Sequence, residues 1–268
     1  MRYFTVKPPI HLQPYIRCFW VLEHDFGEDE TNYVYRSVAD GCVEMVFHYR
    51  AAFTELIDNG QPHNWLAGVH FQSSTYRRFE TKESFGIFGV YIYPFAIPHL
   101  FNISSAATSN EMIDLDSFMG VEGRQLEEQM ILACNNNERI NILTAFFNQQ
   151  LRQAKFKDTN IAAAITHVIH SGQTGTVEQL ASRFNLSTRQ FNRKFKEYAG
   201  FSPKMYMRLT RLTNAIKQGR NEKLLGQVAY ECGYYDQSHF IHEVKLFTGY
   251  HPGFYFSGKA EGTEWLYV

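Results

Sequence analysis

The last third of the chain contains a repeated pattern that limits its fold more than any other feature. Residues 176–203 and 224–252 each place an alanine in a first short helix, then a turn, then a second helix that carries aromatic residues. Both copies close on Gly-x-x-Pro, at residues 200–203 and 249–252. Two helix-turn-helix units in tandem predict that double-stranded DNA is the partner.

Charge is distributed unevenly along the chain, although the net charge of the whole is −1. Residues 159–257 contain twelve Lys or Arg and six Asp or Glu, whereas the remainder contains fourteen and twenty-one. A basic C-terminal third beside an acidic N-terminal part indicates that nucleic-acid binding is confined to one domain.

Composition argues against several other classes of protein. The 268 residues, 44% of them apolar, are enough for two domains with their own cores. No apolar run approaches the roughly 20 residues of a membrane span, and the N-terminus lacks the apolar segment and cleavage site of a signal peptide. The cysteines are Cys18, Cys42, Cys134 and Cys232, which form no C-x-x-C pair. We therefore expect reduced thiols in a cytoplasmic protein, with no structural zinc, no other cofactor and no membrane partner.

The first 118 residues have the pattern of β-structure. Residues 43–49 and 85–93 are rich in β-branched and aromatic side chains, and turn-forming residues separate such runs. This pattern predicts a sheet or roll of about six to eight strands with one face buried.

From about residue 122 the apolar period becomes helical, which predicts helices over 122–134, 137–154 and 160–170. A solvated linker is expected over 155–159. The chain is therefore predicted to be an α+β protein with two domains, 1–156 and 159–257. The first is β-rich with trailing helices, and the second is all-α.

In the first repeat, both helices begin with a capping box. Thr176 precedes one helix and Ser187 the other, each with a Gln three residues later. Asn185 occupies the turn, where a positive φ is needed. Phe191 and Phe195 are four apart and share the buried face of the second helix. Its opposite face carries the candidate DNA contacts, which are Thr188, Arg189, Asn192, Arg193 and Lys196.

Among these residues, Arg189 and Asn192 are the candidates for base contacts, because Arg and Asn can reach the guanine and adenine edges in a major groove. Arg193 and Lys196 are the candidates for phosphate contacts. Thr188 belongs with them, since Thr also contacts the backbone of DNA more often than the bases.

The second repeat follows the same plan with less positive charge. Gly233 supplies a left-handed turn, Asp236 or a neighbour caps the second helix, and Phe240, Val244 and Phe247 face inward. Its exposed face carries Gln237, Ser238, Ile241, His242 and Lys245. Gln237 and His242 are the candidates for base contacts here, and Lys245 for phosphate.

Residues 203–217 join the two repeats and predict a helix. Pro203 suits its first turn, and Met205, Leu209, Leu212 and Ile216 form an apolar stripe. A rigid helix would fix the distance between the two reading helices. They can enter successive major grooves only if they lie about 34 Å apart.

Over about 159–256 the chain resembles the AraC/XylS family of bacterial transcription regulators. The residues that carry the resemblance are Leu180-Ala181, Leu186-Ser187, Arg193-x-Phe195-Lys196, Gly200-x-Ser202-Pro203, Arg211, Ala215, Val228-Ala229, Gly233-Tyr234, Ser238-x-Phe240, Lys245 and Gly249-x-x-Pro252. The resemblance implies two helix-turn-helix subdomains that contact adjacent groove segments and regulate specific genes. The sequence departs from the family pattern at Asn185 (usually Gly), His242 (usually Arg) and Val244 (usually Phe).

The N-terminal strings 8–20, 40–47 and 88–96 look like the β-rich sensor region of a subgroup of these regulators. For the wider family this implies a cupin-like barrel that binds a small effector, followed by helices that often dimerise. Trp65, His70, Tyr91 and Tyr93 are the candidate effector contacts. The histidines His48, His63, His70 and His99 lack the H-x-H spacing of a metal-binding cupin.

The expected partners are therefore double-stranded DNA, RNA polymerase, a small-molecule effector and a second copy of the chain. The alternative is an N-terminal domain that only dimerises or binds a protein, and a cavity of ligand size would distinguish the two. The apolar stripe of 137–154 suggests a dimer, but the same stripe suits packing against the domain's own sheet.

Two other classes fit the sequence less well. A DNA-repair enzyme with a reactive cysteine needs clustered Cys ligands near the N-terminus, and Cys18 and Cys42 stand alone. The chain also lacks a phosphate loop, a G-x-S-x-G elbow and an H-E-x-x-H motif, so we expect no catalytic residues. A nucleoid binder without sequence preference would use mainly Lys, contrary to Arg189, Asn192 and Arg193.

Overall fold

The structure, a computed structural model, describes residues 1–57, 64–154, 159–171, 175–219 and 224–263. Most of the expected linker, and His63 among the predicted residues, lie outside these ranges. No helix within them is long and apolar enough to cross a membrane.

The described N-terminal residues contain ten strands, more than the six to eight expected. They are β1 (Arg2–Val6), β2 (Ile16–His24), β3 (Tyr33–Ser37), β4 (Val43–His48), β5 (Phe53–Glu55), β6 (Asn64–Trp65), β7 (Ala67–His70), β8 (Arg77–Thr81), β9 (Phe85–Ile92) and β10 (Met112–Asp114). The additional strands are short ones of two or three residues, β5, β6 and β10, which are too short to give a period.

The strands form two antiparallel sheets. The larger has the order β1-β2-β9-β4-β7-β10, and the smaller has the order β3-β8-β5-β6. Alternate residues of β4 face opposite sides: Val43, Met45 and Phe47 join one core cluster, while Val46 joins another. The larger sheet is therefore buried on both faces, and the expectation of one buried face is wrong. Its central strands are mostly apolar because helices cover one face and the smaller sheet covers the other.

Eleven helices follow or interrupt the strands in the described residues. They are α1 (Ile97–Leu100), α2 (Leu115–Met119), α3 (Val121–Leu132), α4 (Asn136–Gln153), α5 (Thr159–Ser171), α6 (Val177–Arg183), α7 (Thr188–Ala199), α8 (Pro203–Gly219), α9 (Leu225–Glu231), α10 (Gln237–Thr248) and α11 (Pro252–Tyr255). The three helices predicted from the apolar period correspond to α3, α4 and α5 and are confirmed. Asn135 caps α4 by accepting a hydrogen bond from the backbone N–H of Glu138.

Helix α4 packs onto its own domain. Leu143, Phe146 and Phe147 are buried in the core that covers the larger sheet, and Ile140 and Leu151 pack against the same core. The apolar stripe of this helix is therefore used within the domain rather than left on the surface.

The C-terminal part forms two lobes around α8. Helices α5, α6 and α7 share one core, which includes Phe191, Phe195 and Tyr206. Helices α9 and α10 share a second core with Leu209, Leu212 and other residues of α8. Because α8 contributes to both cores, it is a structural spacer and not a loose connection.

Candidate nucleic-acid interface

The first helix-turn-helix is built by the local rules read from the sequence. Thr176 and Ser187 both form complete capping boxes, with Gln179 and Gln190 respectively. Phe191 and Phe195 are fully buried, with their ring centroids 5.5 Å apart. These contacts fix one face of α7 against α5 and α6 and leave the other face to solvent.

The turn between α6 and α7 depends on Asn185, whose φ is +55°. Asn adopts this left-handed conformation more easily than other residues that carry a Cβ, and Gly adopts it without strain. Asn185→Ala is therefore expected to lower the free energy of unfolding by about 1 kcal/mol, whereas Asn185→Gly should leave it within about 0.5 kcal/mol of the wild type. Urea denaturation of the full chain measures both, and equal losses would contradict the role of the positive φ.

The exposed face of α7 carries all five residues predicted to contact DNA: Thr188, Arg189, Asn192, Arg193 and Lys196 are exposed. Asn192 donates a hydrogen bond of 2.9 Å from Nδ2 to the backbone oxygen of Thr188, one turn earlier. A contact of its amide N–H with a base would therefore replace a bond within the helix. Arg189, by contrast, makes no hydrogen bond or ion pair with any residue that the structure describes.

The second helix-turn-helix repeats this arrangement. Gly233 has a φ of +72°, and Asp236 caps α10 by accepting a 2.7 Å hydrogen bond from the N–H of His239. Phe240, Val244 and Phe247 are buried as predicted. The residues predicted to contact DNA lie on the outer face, where Gln237, Ser238, His242 and Lys245 are exposed and Ile241 is half-buried.

A buried acidic group that sequence reasoning missed ties this lobe to the spacer helix. Glu243 of α10 is 1% exposed, and its Oε1 accepts a 2.5 Å hydrogen bond from Nε of Arg208 on α8. His239 lies 3.5 Å from the same carboxylate oxygen. A buried ion pair requires close geometry to offset its desolvation, so it holds α10 in one position relative to α8.

Two exposed aromatic residues next to α10 were also missed. Tyr235, directly before the capping Asp236, is 94% exposed, and Tyr230 near the end of α9 is 85% exposed. Exposed Tyr hydroxyls at the start of a reading helix suit contact with DNA phosphates. The adjacent pair Tyr234-Tyr235 was the signal in the sequence that could have identified Tyr235. Of this pair, Tyr234 is buried in the lobe core and Tyr235 is exposed.

The N-terminal domain caps the C-terminal end of α7. Ser105 donates its backbone N–H to the oxygen of Glu197 at 3.0 Å, and the Ser109 hydroxyl donates to the oxygen of Gly200 at 2.9 Å. The last carbonyls of a helix lack partners inside the helix, and here a second domain supplies the partners. Gly200, with a φ of +81°, comes so close that a Cβ would overlap the side chain of Gln72.

The same domain caps the C-terminal end of α10. Ala39 donates its N–H to the oxygen of Phe247 at 3.1 Å, and Nη1 of Arg36 donates to the oxygen of Thr248 at 3.2 Å. A Cβ on Gly249 would overlap Arg36 and Tyr76. The glycines that close the two repeats therefore both lie at the domain interface.

An ion-pair cluster reinforces this second contact. Glu261, beyond α11, accepts from Nη2 of Arg36 at 2.8 Å and from Arg78 on β8. Burial alone would raise the pKa of Glu261, but the hydrogen bonds from Arg78 and Arg36 outweigh it and lower the pKa to about 2. Arg36 also lies over the ring of Tyr250, 4.1 Å from its centroid. We refer to Arg36, Arg78, Tyr250 and Glu261 as the interdomain clasp.

The spacer helix contacts the N-terminal domain as well. The hydroxyl of Tyr206 on α8 donates to the backbone oxygen of Gly41 at 3.0 Å. The N-terminal domain thus contacts the first lobe, the spacer and the second lobe.

The residues predicted to contact an effector do not form one group. His70 and Tyr91 lie between the two sheets, but Tyr93 follows the end of β9 and borders a cavity of about 150 Å³ between the domains. The backbone of Trp65 belongs to β6, and its side chain lies outside the described residues. Strand β9 ends at Ile92, so Tyr93 lies outside it. The alternation of side chains along the strand, which would have placed Tyr93 on the same side of the sheet as Tyr91, does not reach this residue.

The space between the sheets contains two small cavities, of about 20 and 10 Å³, which share Trp20 and Tyr35. Glu44, which sequence reasoning missed, lines the larger one together with His70. Burial raises the pKa of Glu44 to about 7, although a hydrogen bond from Tyr91 favours its ionised form. Burial lowers the pKa of His70 to about 3, so this histidine is neutral at physiological pH.

No group of three or more His, Cys, Asp or Glu residues suited to a metal ion occurs in the parts of the chain that the structure describes. Within the same parts no disulfide joins any of the four cysteines.

Sequence comparison finds a match in each of two separate stretches of the chain. A model of a helix-turn-helix domain matches residues 180–258, and a model of a domain of unknown function, DUF6597, matches residues 4–114. The transcriptional activator RhaS of Escherichia fergusonii is 30% identical over 101 residues, which cover 35% of this chain and 36% of that protein. RhaS of Citrobacter koseri is 28% identical over 109 residues, 40% of this chain and 32% of that protein. The chain thus matches about a third of the length of these relatives.

Solved structures extend the likeness to the whole fold. ToxT from Vibrio cholerae has a TM-score of 0.50 at 13% identity, with 89% of this chain and 98% of ToxT covered. ToxT of strain O395 bound to (E)-4-(8-methylnaphthalen-1-yl)but-3-enoic acid has a TM-score of 0.51 at 11% identity, with 90% and 99% covered. The order of a β-rich domain, trailing helices and two lobes on a spacer is therefore shared. The comparisons thus agree with the expected resemblance to the AraC/XylS family over the helix-turn-helix part of the chain, residues 180–258.

Proposed function

We propose that the protein is a sequence-specific DNA-binding regulator of transcription, and that its two lobes contact adjacent segments of the major groove. One observation carries the proposal. The helices α7 and α10 are built alike, because each buries an aromatic face and exposes a polar one. They belong to two lobes, and the spacer α8 contributes residues to the core of each lobe. This is the arrangement that tandem groove reading requires.

The roles of single residues follow from their chemistry. Arg189 and Asn192 contact bases from α7, and Gln237 and His242 do so from α10, because their donors and acceptors match base edges. Phosphates are contacted by Thr188, Arg193, Lys196, Ser238 and Lys245, and Ile241 makes apolar contacts with the groove.

A selection of bound sites from random-sequence duplex DNA tests this proposal. The full chain should enrich a motif with two conserved blocks whose centres lie about one helical turn apart. The double variant Arg189→Ala/Asn192→Ala should lose the preference in one block and keep it in the other. No enrichment by the wild type, or loss of both blocks in the variant, would contradict tandem reading.

The proposal includes control by a small effector held in the N-terminal domain. Its support is the placement of that domain, which caps the C-terminal ends of both reading helices and contacts the spacer. A ligand that moves this domain would change the relative position of the lobes. ToxT, which shares the fold, has been solved with a carboxylic acid bound.

Activation through RNA polymerase is a further part of the proposal, since the RhaS relatives are transcriptional activators. In vitro transcription from a selected site tests it, with and without the protein.

A homodimer is also proposed, through α3 and not α4. Val121 and Leu132 lie eleven residues apart on one face of α3 and are 59% and 72% exposed. Light scattering should give twice the chain mass, and Leu132→Glu should return it to the mass of one chain. The alternative is an N-terminal domain that only dimerises or binds a protein partner.

A further inference from the structure

We propose that the space between the two N-terminal sheets is a binding site for a small organic cation, an ammonium ion held by Glu44 within a cage of aromatic rings. The inference rests on the proposed effector control and names the chemical class of the effector. The residues Tyr3, Trp20, Tyr35, Glu44 and Tyr91 are called the cage below.

The cage brings together groups from five strands. Glu44 of β4 is opposite Tyr91 of β9 in the sheet register, and the hydroxyl of Tyr91 acts to lower the pKa of the Glu44 carboxyl. The rings of Trp20 and Tyr91 are tilted at 41°, with centroids 6.1 Å apart. Tyr35 of β3 faces them from the smaller sheet and Tyr3 of β1 from the edge of the larger one.

The local sequence makes room for the indole of Trp20. Gly89 lies opposite Trp20 in the register, and a Cβ there would fall 2.1 Å from the indole ring. The absence of a side chain at Gly89 lets the ring lie across the sheet. The indole is 5% exposed, and among the described residues its Nε1–H has no hydrogen-bond acceptor. A buried donor of this kind costs free energy unless something accepts from it, so a hydroxyl or carbonyl oxygen on the ligand would stabilise it.

The charge of the cage favours a cation. Glu44 forms no ion pair within the described residues, and the faces of aromatic rings attract positive charge. The guanidinium of Arg17 lies 5.6 Å from the centroid of Tyr91, and its charge acts to lower the pKa of Glu44, but it lines neither cavity. It is directed at Cys42, to which its Nη1 donates, and its charge is near Asp40.

Carboxylate ligands are disfavoured for the same reason. An acid entering the cage would meet the carboxylate of Glu44, and His70, neutral at physiological pH, supplies no compensating charge. This chain is therefore expected to take ligands of opposite charge to the acid bound in the ToxT structure.

The cage opens between two edge strands. β1 is at one edge of the larger sheet and β3 at one edge of the smaller, and Tyr3, Tyr35 and Tyr91 remain partly accessible there. Cavities of about 20 and 10 Å³ hold little more than one water molecule. A methylated or primary ammonium head must therefore displace the ring of Tyr35 or Tyr3 on entry.

Such a displacement acts directly on the interdomain clasp. Tyr35 precedes Arg36 on β3, and successive residues of a strand point to opposite faces. Tyr35 lines the cage, whereas Arg36 binds Glu261 and caps α10. On β4, Glu44 lies three residues from Gly41, which accepts from Tyr206 of the spacer. One segment, 35–44, thus connects the ligand site to both the second lobe and α8.

Cation affinity is expected to depend on pH. Glu44 has a pKa of about 7 in the absence of ligand, so its ionised fraction rises between pH 6 and pH 8, and affinity should rise with it by about tenfold. The titratable and charged groups that face Glu44 are Tyr35, Asp40, Arg17, His48, His70 and Tyr91. Of these, burial raises the pKa of Tyr35 and of Tyr91 and lowers that of His70, so their charge does not change over this range.

Calorimetric titration of the full chain at pH 8 tests the proposal, with tetramethylammonium and choline as probes. The control ligands are 3,3-dimethyl-1-butanol, the neutral isostere of choline, and butyrate. Choline should bind at least tenfold more tightly than its isostere, and butyrate should not bind. Glu44→Gln should remove the difference between choline and the isostere, while Glu83→Gln, at an exposed turn, should preserve it. Equal binding of choline and the isostere, or an unchanged preference in Glu44→Gln, would overturn the cation site.

Two readouts separate this inference from the proposed function. Glu44→Gln should unfold cooperatively and, without a cation, enrich the same two-block DNA motif as the wild type. Choline should change the affinity of the wild type for that motif at least threefold and leave Glu44→Gln unaffected. If the motif is found but no cation binds, the cation site fails and DNA reading stands. If no motif is found, DNA reading fails whatever the cage binds.

Discussion

Arg189→Ala is expected to weaken binding to a selected operator by about 1–3 kcal/mol, or about 5- to 150-fold in Kd, with a smaller loss on random DNA. The side chain is exposed near the start of α7, and within the described ranges it has no hydrogen bond or ion pair. Bidentate hydrogen bonds from Arg to guanine distinguish one base pair from another, so their loss should affect the cognate site most.

Arg183→Ala is the matched control for this prediction. It removes the same charge from the same lobe, but Arg183 lies at the end of α6 and contacts His167 at 3.1 Å. Fluorescence anisotropy with operator and random duplexes, each at two salt concentrations, measures both variants. An equal loss on both duplexes for Arg189→Ala, with a reduced salt dependence, would assign Arg189 to phosphate contact.

Glu261→Gln is expected to lower the free energy of unfolding by about 2 kcal/mol at pH 7, because it leaves Arg36 and Arg78 close together without an anion. Arg36 is 8% exposed, so water screens its charge poorly. Glu261 is about a quarter exposed, which keeps the expected loss below that of a fully buried pair.

The pH dependence of this loss has a defined sign. The pKa of Glu261 is about 2 in the folded protein, below its usual value of 4.5. Its contribution is therefore complete above about pH 4.5 and decreases as the pH falls towards 2. Urea denaturation at pH 7, 5 and 3 should show the difference between wild type and Glu261→Gln narrowing at pH 3. Lys259→Gln, an exposed change on the same segment, should have little effect at any pH, and a loss equal to that of Glu261→Gln would show that the clasp is not responsible.

The C-terminal lobes were largely predictable from the sequence because local rules determine them. The capping boxes at Thr176 and Ser187, the positive φ of Asn185 and the burial of Phe191 and Phe195 each depend on residues within one or two turns. Position on a helix face then decided which side chains are exposed. That these exposed residues contact DNA stays a prediction.

The contacts between domains could not be predicted in the same way. Arg36 and Glu261 are 225 residues apart, and neither stands in a recognisable motif. Gly200 and Gly249 were identified as the glycines that close the two repeats, but nothing local indicated that both approach the N-terminal domain. Glu44 was missed because its strand is apolar on both faces, so one acidic residue gave no clear alternation.

Hydroxyl-radical and methylation footprinting on a selected operator can show whether the two lobes on one spacer read adjacent groove segments. We expect two protected major-groove segments on the same face of the duplex, with centres about one turn, or 34 Å, apart. Arg189→Ala should weaken protection in one segment and Gln237→Ala in the other. A single protected segment, or weakening of the same segment by both variants, would contradict the account.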